Sequence, residues 1–359
     1  MPQRHRIPDR LYIGRLGWFL RDCSWFAHAN GKTPGDAMKP YRLLVSATFV
    51  VALTLSAASA ENWPIRPLHV IVPFGAGTTV DIVPRIVFEQ LWIQLGQPVI
   101  VENRPGAGAT TGANAVAKAE ADGYTLLANS SAHTIAPSLF PALNYDVSRD
   151  FAAVAPLGVV SSVLLASSAK GFKTASDLVR AARAKPGSLN FASAGVGTAT
   201  HLSAVRFNAS AGIESVHVPF KAAPEILGEM MAGRIDYFLA PIAVALPFVR
   251  DGKLAALAVN TPARLPAIPD VPTLSEAGFV NAEYSFWIAV FVPAKTPGAI
   301  VEKLAQETRK ALAEPKVRDK LAALGIEPME MTPATFDAYV KRQIGIDADL
   351  VNTAGLKAQ

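Results

Sequence analysis

From Trp63 onward, short β-branched runs alternate with stretches of helical period, and this alternation allows few architectures: parallel sheets with helices on their faces. Residues 68–74 read as a first strand, followed by a Gly/Thr loop and a helix over 80–95. Residues 98–102 read as a strand, 112–119 as a helix and 124–128 as a third strand. Residues 159–166 read as one long buried strand, and 175–184 as a helix stopped by Pro186-Gly187. Further strands are expected at 189–193, 216–220, 235–239 and 254–259. After a Pro-rich stretch at 262–272 comes a strand at 286–292, and then only helices, the last two near 316–324 and 333–351. One sheet holding all these strands would be large. Two lobes, with the chain crossing between them, are more economical: 61–160 plus 281–359 for the first, 161–280 for the second. No period of 20–50 residues recurs, which excludes a repeat protein.

The formal charge of +5 suggests affinity for a polyanion until its location is considered. Residues 1–60 hold eight Lys/Arg and three Asp/Glu; removing these from the totals of 34 and 29 leaves 26 of each sign in 61–359. The folded part therefore has no electrostatic footprint for nucleic acid. Cys23, the single cysteine, lies in the same leader, so no disulfide or thiol-based metal site is available beyond it, as suits an oxidising compartment. Met38-Lys39-Pro40-Tyr41-Arg42 forms a positive n-region, residues 43–55 an apolar core, and Ala58-Ser59-Ala60 a cleavage site. Residues 38–60 thus read as a signal peptide cleaved after Ala60, which predicts a periplasmic protein. Residues 1–37 do not fit a signal peptide and read as a non-native or disordered extension, with translation expected from Met38.

Two loops could carry chemistry. Phe74-Gly75-Ala76-Gly77-Thr78-Thr79-Val80-Asp81 follows a strand and opens a helix, where backbone N–H groups and the helix dipole favour an anion. Its glycines admit a ligand close to the backbone, and its threonines add hydroxyls. A blander reading makes Thr79 the N-cap and Asp81 a dipole-complementing acid. Ser193-Ala194-Gly195-Val196-Gly197-Thr198-Ala199-Thr200-His201 repeats the device in the other lobe; His201 is either a ligand contact or a satisfied histidine near the cap. A third glycine run, 106–112, has GxGxxxG spacing and no downstream acid, so it reads as a lobe-packing or cleft-edge loop and not as a dinucleotide site. The four histidines beyond the leader (His69, His133, His201, His217) form no metal-binding motif, and no GxSxG elbow occurs. Ser130-Ser131 before His133 could line the cleft, but nothing marks either serine as an activated nucleophile.

Several of these residues resemble the tripartite tricarboxylate transporter substrate-binding family, the Bug proteins. The similarity includes Trp63-Pro64 with Pro67, Val72-Pro73-Phe74, Asp81, and Val101-Glu102-Asn103-Arg104-Pro105-Gly106-Ala107-Gly108. It continues through Asp122-Gly123-Tyr124, the 193–201 loop, Val216-His217-Val218-Pro219, Asp270-Val271-Pro272-Thr273 and Glu276-Ala277-Gly278. The resemblance implies an α/β, two-lobed periplasmic binding fold of the Venus-flytrap, type II-like kind, with two hinge crossings and C-terminal helices. It implies a non-catalytic, monomeric receptor with no cofactor or metal, which takes a small carboxylate and delivers it to membrane permease subunits. A receptor module feeding a membrane kinase, or an α/β hydrolase, are the alternatives. By motif match, the implied ligand contacts are Phe74, Gly77, Thr78, Thr79 and Asp81; Ser130, Ser131 and His133; Ala194, Gly195, Gly197, Thr198 and His201; and Lys221 and Asp236. This chain departs from the pattern at Gly77-Thr78, where the family has Gly-Gly, and at Phe220-Lys221-Ala222, where it has Tyr-Lys-Gly.

Overall fold

A computed structural model describes residues 63–356 apart from 222 and 354; the readings made on 1–37 and 38–60 lie outside the described residues. The first strands form where β-branched and leucine residues cluster: β1 Leu68–Val72, β2 Val99–Asn103 and β3 Thr125–Ser130. Helices α1 Thr79–Leu95, α2 Thr110–Ala117 and α3 Ala132–Leu139 follow them in turn. The region between α3 and the next helix departs from the expected single strand at 159–166. It contains two strands, β4 Phe151–Val160 and β5 Ser162–Ser167, which lie in different sheets. The continuous apolar run hides this break, because Ser161 carries no turn signal.

The second half continues with α4 Ala175–Ala184, β6 Asn190–Ser193, α5 Ala199–Ala211, β7 Val216–Pro219, α6 Ala223–Met231, β8 Tyr237–Pro241, α7 Ile242–Arg250 and β9 Leu254–Val259. The chain then returns through β10 Trp287–Pro293, α8 Gly298–Ala313, α9 Pro315–Ala323, β11 Ile326–Glu327 and α10 Pro333–Thr353. The sheet orders are β11-β4-β10-β3-β1-β2 and β7-β6-β8-β5-β9. Both are mixed, not purely parallel: β10 runs antiparallel to β3 and β4, and β5 antiparallel to β8 and β9. β10 and β5 are the strands by which the chain enters each sheet from the other, so they start where the parallel strands end, and the short edge strand β11 is likewise antiparallel to β4.

β10 is buried along its whole length. Ile288, Val290 and Val292 join one core with the inner face of α1 (Val83, Val87, Leu91), while Trp287 and Phe291 join another with Phe336 and Val340 of α10. Each large side chain so buried contributes about 1.5–3 kcal/mol. The two crossings lie side by side. Val160 N–H donates to Phe286 O at 2.7 Å and Asn260 N–H to Ser162 O at 2.7 Å. The Asn260 amide pairs with both the N–H and the carbonyl of Tyr284, at 3.2 and 3.3 Å.

Candidate functional site

The parallel strands β1 and β6 each end in a glycine loop that opens a helix, and the two loops share one backbone. Gly77 has φ 78° and Gly197 φ 76°, a left-handed conformation that costs a side-chain-bearing residue about 1–2 kcal/mol. Thr78 and Thr198 occupy the N-cap positions with near-identical dihedrals, φ −74°, ψ 160° and φ −76°, ψ 160°. Thr78 Oγ1 donates to Gly75 O at 2.9 Å, and Thr198 Oγ1 to Gly195 O at 2.7 Å. Four residues after each glycine an acceptor closes the turn: Gly77 N–H donates to Asp81 Oδ2 at 2.9 Å, and Gly197 N–H to His201 Nδ1 at 3.3 Å. The pattern Gly-x-Gly-Thr-x-x-acceptor thus occurs twice.

This geometry revises several expected contacts. The threonine hydroxyls donate within their loops, and Asp81 lies beneath its loop. Asp81 also takes Asn103 Nδ2 and Arg85 Nε at 2.8 Å each, while Asn103 donates to Phe74 O at 3.0 Å. Sequence reasoning missed Arg85 and Asn103; only Asn103, in the 101–108 run, carried a signal. In the second loop Ala194 N–H donates to Thr200 Oγ1 and Gly195 N–H to Ser193 Oγ. His201 stacks on His217 at 4.1 Å, and His217 Nε2 lies 2.6 Å from Ser193 Oγ. Burial lowers His201 to about 3 and His217 to about 4, so both rings are neutral near pH 7 and His201 Nδ1 accepts.

What remains for a ligand is backbone. Neither N-cap threonine caps its helix, and the N–H groups of Thr79 and Val80 on α1, and of Ala199, Thr200 and His201 on α5, have no partner among the described residues. Val80, Ala199 and Thr200 were not among the expected contacts, although helix N-terminal geometry marks all three. The second loop also meets the first sheet's elements. A methyl group on Gly197 would lie 3.1 Å from Leu139 Cδ1, and one on Gly108 would lie 2.6 Å from the Phe140 ring and 3.2 Å from Val196 O. The third glycine run therefore sits at the edge between the two loop-bearing halves.

Ser130 ends β3 and Ser131 is the N-cap residue of α3; Ser131 N–H donates to Trp287 O at 3.1 Å, and Ser131 Oγ is buried with no partner among the described residues. Two expected contacts are not brought to the loops. His133 is fully buried between Phe151 and Phe291, its pKa lowered to about 3 by burial, because α3 turns it into the aromatic core. Asp236 precedes β8, at the opposite end of the sheet from the second loop, where it accepts Asn190 N–H at 2.6 Å and pairs with Lys170 at 2.7 Å. Lys221 is exposed just beyond β7. Among the described residues no group of three metal-ligating side chains occurs, and no helix is long and apolar enough to cross a membrane.

Two mixed α/β sheets joined by adjacent crossings, with paired helix-opening loops, define a two-lobed solute-binding protein. Residues 83–356 match the model of the tripartite tricarboxylate transporter family receptor, and the chain belongs to that family of receptors. BugT of Bordetella pertussis is 32% identical over 318 residues, 88% of this chain and 98% of that protein. A protein encoded in the tcbD-tcbE intergenic region of Pseudomonas sp. strain P51 is 36% identical over 290 residues, 80% of this chain and 86% of its own. Among solved structures, MatC from Rhodopseudomonas palustris with bound malate is 34% identical, with TM-score 0.75 over 80% of this chain and all of that one. An R. palustris protein solved with adipate is 29% identical, with TM-score 0.77 over 83% of this chain and all of that one. The periplasmic binding protein BugD is 30% identical, with TM-score 0.75 and the same coverage.

Proposed function

We propose that this protein, exported to the periplasm by cleavage after Ala60, captures a small carboxylate between its two glycine–threonine loops and presents it to the membrane subunits of a tripartite transporter. The observation that carries this reading is the set of five N–H groups without a partner among the described residues, those of Thr79 and Val80 at the start of α1 and those of Ala199, Thr200 and His201 at the start of α5. Hydrogen-bond donors reinforced by a helix dipole fit a carboxylate without any cationic side chain. The adipate and malate in two related structures support the same ligand class. The lobes are read as 61–160 plus 281–359 and 161–280. A ligand bridging both loops favours the closed form in proportion to its extra contacts there, and the transporter reads closure. Ser130 and Ser131 border the site, Asp81 and His201 hold its loops in shape, and the protein acts as a monomer.

A thermal-shift screen of malate, adipate and related mono-, di- and tricarboxylates, on protein unfolded and refolded to remove co-purified ligand, tests the reading. At about a hundred times Kd the matching acid stabilises the protein by about 2.7 kcal/mol. A screen in which no carboxylate raises Tm refutes the proposal.

A further inference from the structure

Asp347, on α10, is 2% exposed, and among the described residues no lysine or arginine pairs with it. Its partner is Thr134 of α3, whose Oγ1 lies 2.5 Å from Asp347 Oδ2. The same oxygen lies 2.9 Å from the carbonyl oxygen of Ser131, which can only accept. One hydroxyl proton cannot serve both contacts. If Thr134 donates to Ser131, the 2.5 Å contact requires a proton on Asp347, and that distance lies at the short limit of O–H···O bonds.

The surroundings agree. Tyr284 faces the carboxyl from the second crossing, Tyr339 from α10 itself and Arg206 from α5. Burial raises both phenols, which stay neutral, and Arg206 Nε is engaged by Asn281 O at 3.0 Å. Burial pushes the Asp347 carboxyl up to about 7, even with the Thr134 hydroxyl taken as a donor to the carboxylate and Arg206 nearby, both of which favour the charged form. Ser131 Oγ and Tyr284 OH are also buried without partners among the described residues, so the cluster offers an ionised carboxylate little compensation.

The cluster sits where the lobes join. Ser131 follows β3 beside the cleft and its N–H holds Trp287 O of the second crossing, while Arg206 rides on α5, which presents Ala199 and Thr200 to the ligand. We propose that Asp347 is a positioning residue for the cleft: as a neutral acid it donates to Thr134 and locks the turn at Ser131 against the second crossing, and its ionisation pulls the Thr134 hydroxyl off Ser131 and loosens that turn. The effect on binding rests on the carboxylate-capture reading. The sign follows from linkage. The packed state binds this proton more tightly than a hydrated carboxyl does, so the contribution is complete below the ordinary Asp range, near pH 4, and is lost as pH rises through about 7.

Asp347→Asn tests this, because an amide donates to Thr134 but does not titrate. Hydrogen exchange of residues 130–134, corrected for intrinsic rates, should lose about tenfold protection between about pH 5.5 and pH 7.5 in the native protein and stay constant in Asp347→Asn. Malate affinity should weaken over the same range in the native protein alone. An infrared carbonyl band of a protonated carboxylic acid, disappearing near neutrality, reads the proton directly in the native protein even if the variant misfolds. Absence of that band, or identical exchange profiles in the two proteins, overturns the proposal. A native malate affinity that does not change with pH, despite separated exchange profiles, overturns the positioning role. If neither malate nor adipate binds at any pH while the band and exchange behave as stated, the capture reading fails and the assignment of the proton stands.

Discussion

In the loop after β1 a carboxylate closes the turn; in the loop after β6 an imidazole does. The backbones agree to within a few degrees at the glycine and the N-cap, yet the supports differ. Asp81 is held from the half-exposed side by Arg85 and Asn103, whereas His201 is buried in a stack with His217 and Phe191. The comparison teaches that loop shape needs only an acceptor four residues after the glycine, while the acceptor's charge sets the field at the helix start. Asp81 places a carboxylate at the α1 start and neutral His201 places none at that of α5, so on the carboxylate-capture reading the second loop is expected to hold an anion more strongly.

Substitutions can break this comparison, beginning with the largest effect. Asp81→Leu strands three donors and should cost about 3 kcal/mol in urea unfolding, whereas His201→Leu strands the Gly197 N–H and should cost about 1–2 kcal/mol. The reverse order would mean the histidine stack, not the acceptor, maintains the second loop. Next, Gly77→Ala and Gly197→Ala both incur about 1–2 kcal/mol of backbone strain. Only Gly197→Ala also pushes on Leu139, while the methyl at Gly77 meets open space. Gly197→Ala should therefore lose more stability and more malate affinity; equal losses in both would place the second loop away from the first-lobe wall.

Acid separates the loops more gently. His201 is depressed from an ordinary 6.5 to about 3, so the folded state binds fewer protons and the contribution is complete above about pH 6.5. It falls by about 1.4 kcal/mol per pH unit as pH drops towards that lowered value. His201→Gln should flatten the acid limb of a Tm–pH profile without removing it, since His133 and His217 contribute their own slopes. An unchanged limb would mean that the imidazole is not buried. The smallest effect is Asp81→Asn, which keeps an acceptor for Gly77 N–H but removes the charge beneath α1. Malate affinity by calorimetry should rise about two- to fivefold; a fall would show that the carboxylate, through Arg85, aids binding.

Much of the architecture was legible because local chemistry dictates it. Runs such as Val70-Ile71-Val72 pair wherever a β-sheet is offered, and Gly77 and Gly197 announce left-handed turns before helices. The lobe boundary was placed at 160/161, but the break it makes between two strands was not legible, since 151–167 is apolar on both sides of Ser161 and a strand that changes sheet keeps its composition. Helix α3 was not among the expected elements, since Ser130-Ser131 and Pro137 are weak helix formers in so short a stretch. His133 looked like a cleft residue by sequence position, and only its packing against Phe151 and Phe291 shows otherwise.

By itself the sequence determined that strands and helices alternate, that two glycine–threonine turns open helices, and that the charge beyond the leader balances to zero. These are properties of neighbouring residues, set by backbone sterics and composition. Tertiary structure alone decided which polar atoms remained free. Asp81 met Asn103 across 22 residues and Asp347 met Thr134 across 213, while the helix-start amides found no partner among the described residues. Hydrogen bonding in a buried site is a competition among groups brought together from distant parts of the chain, and its outcome is fixed only when all of them are in place.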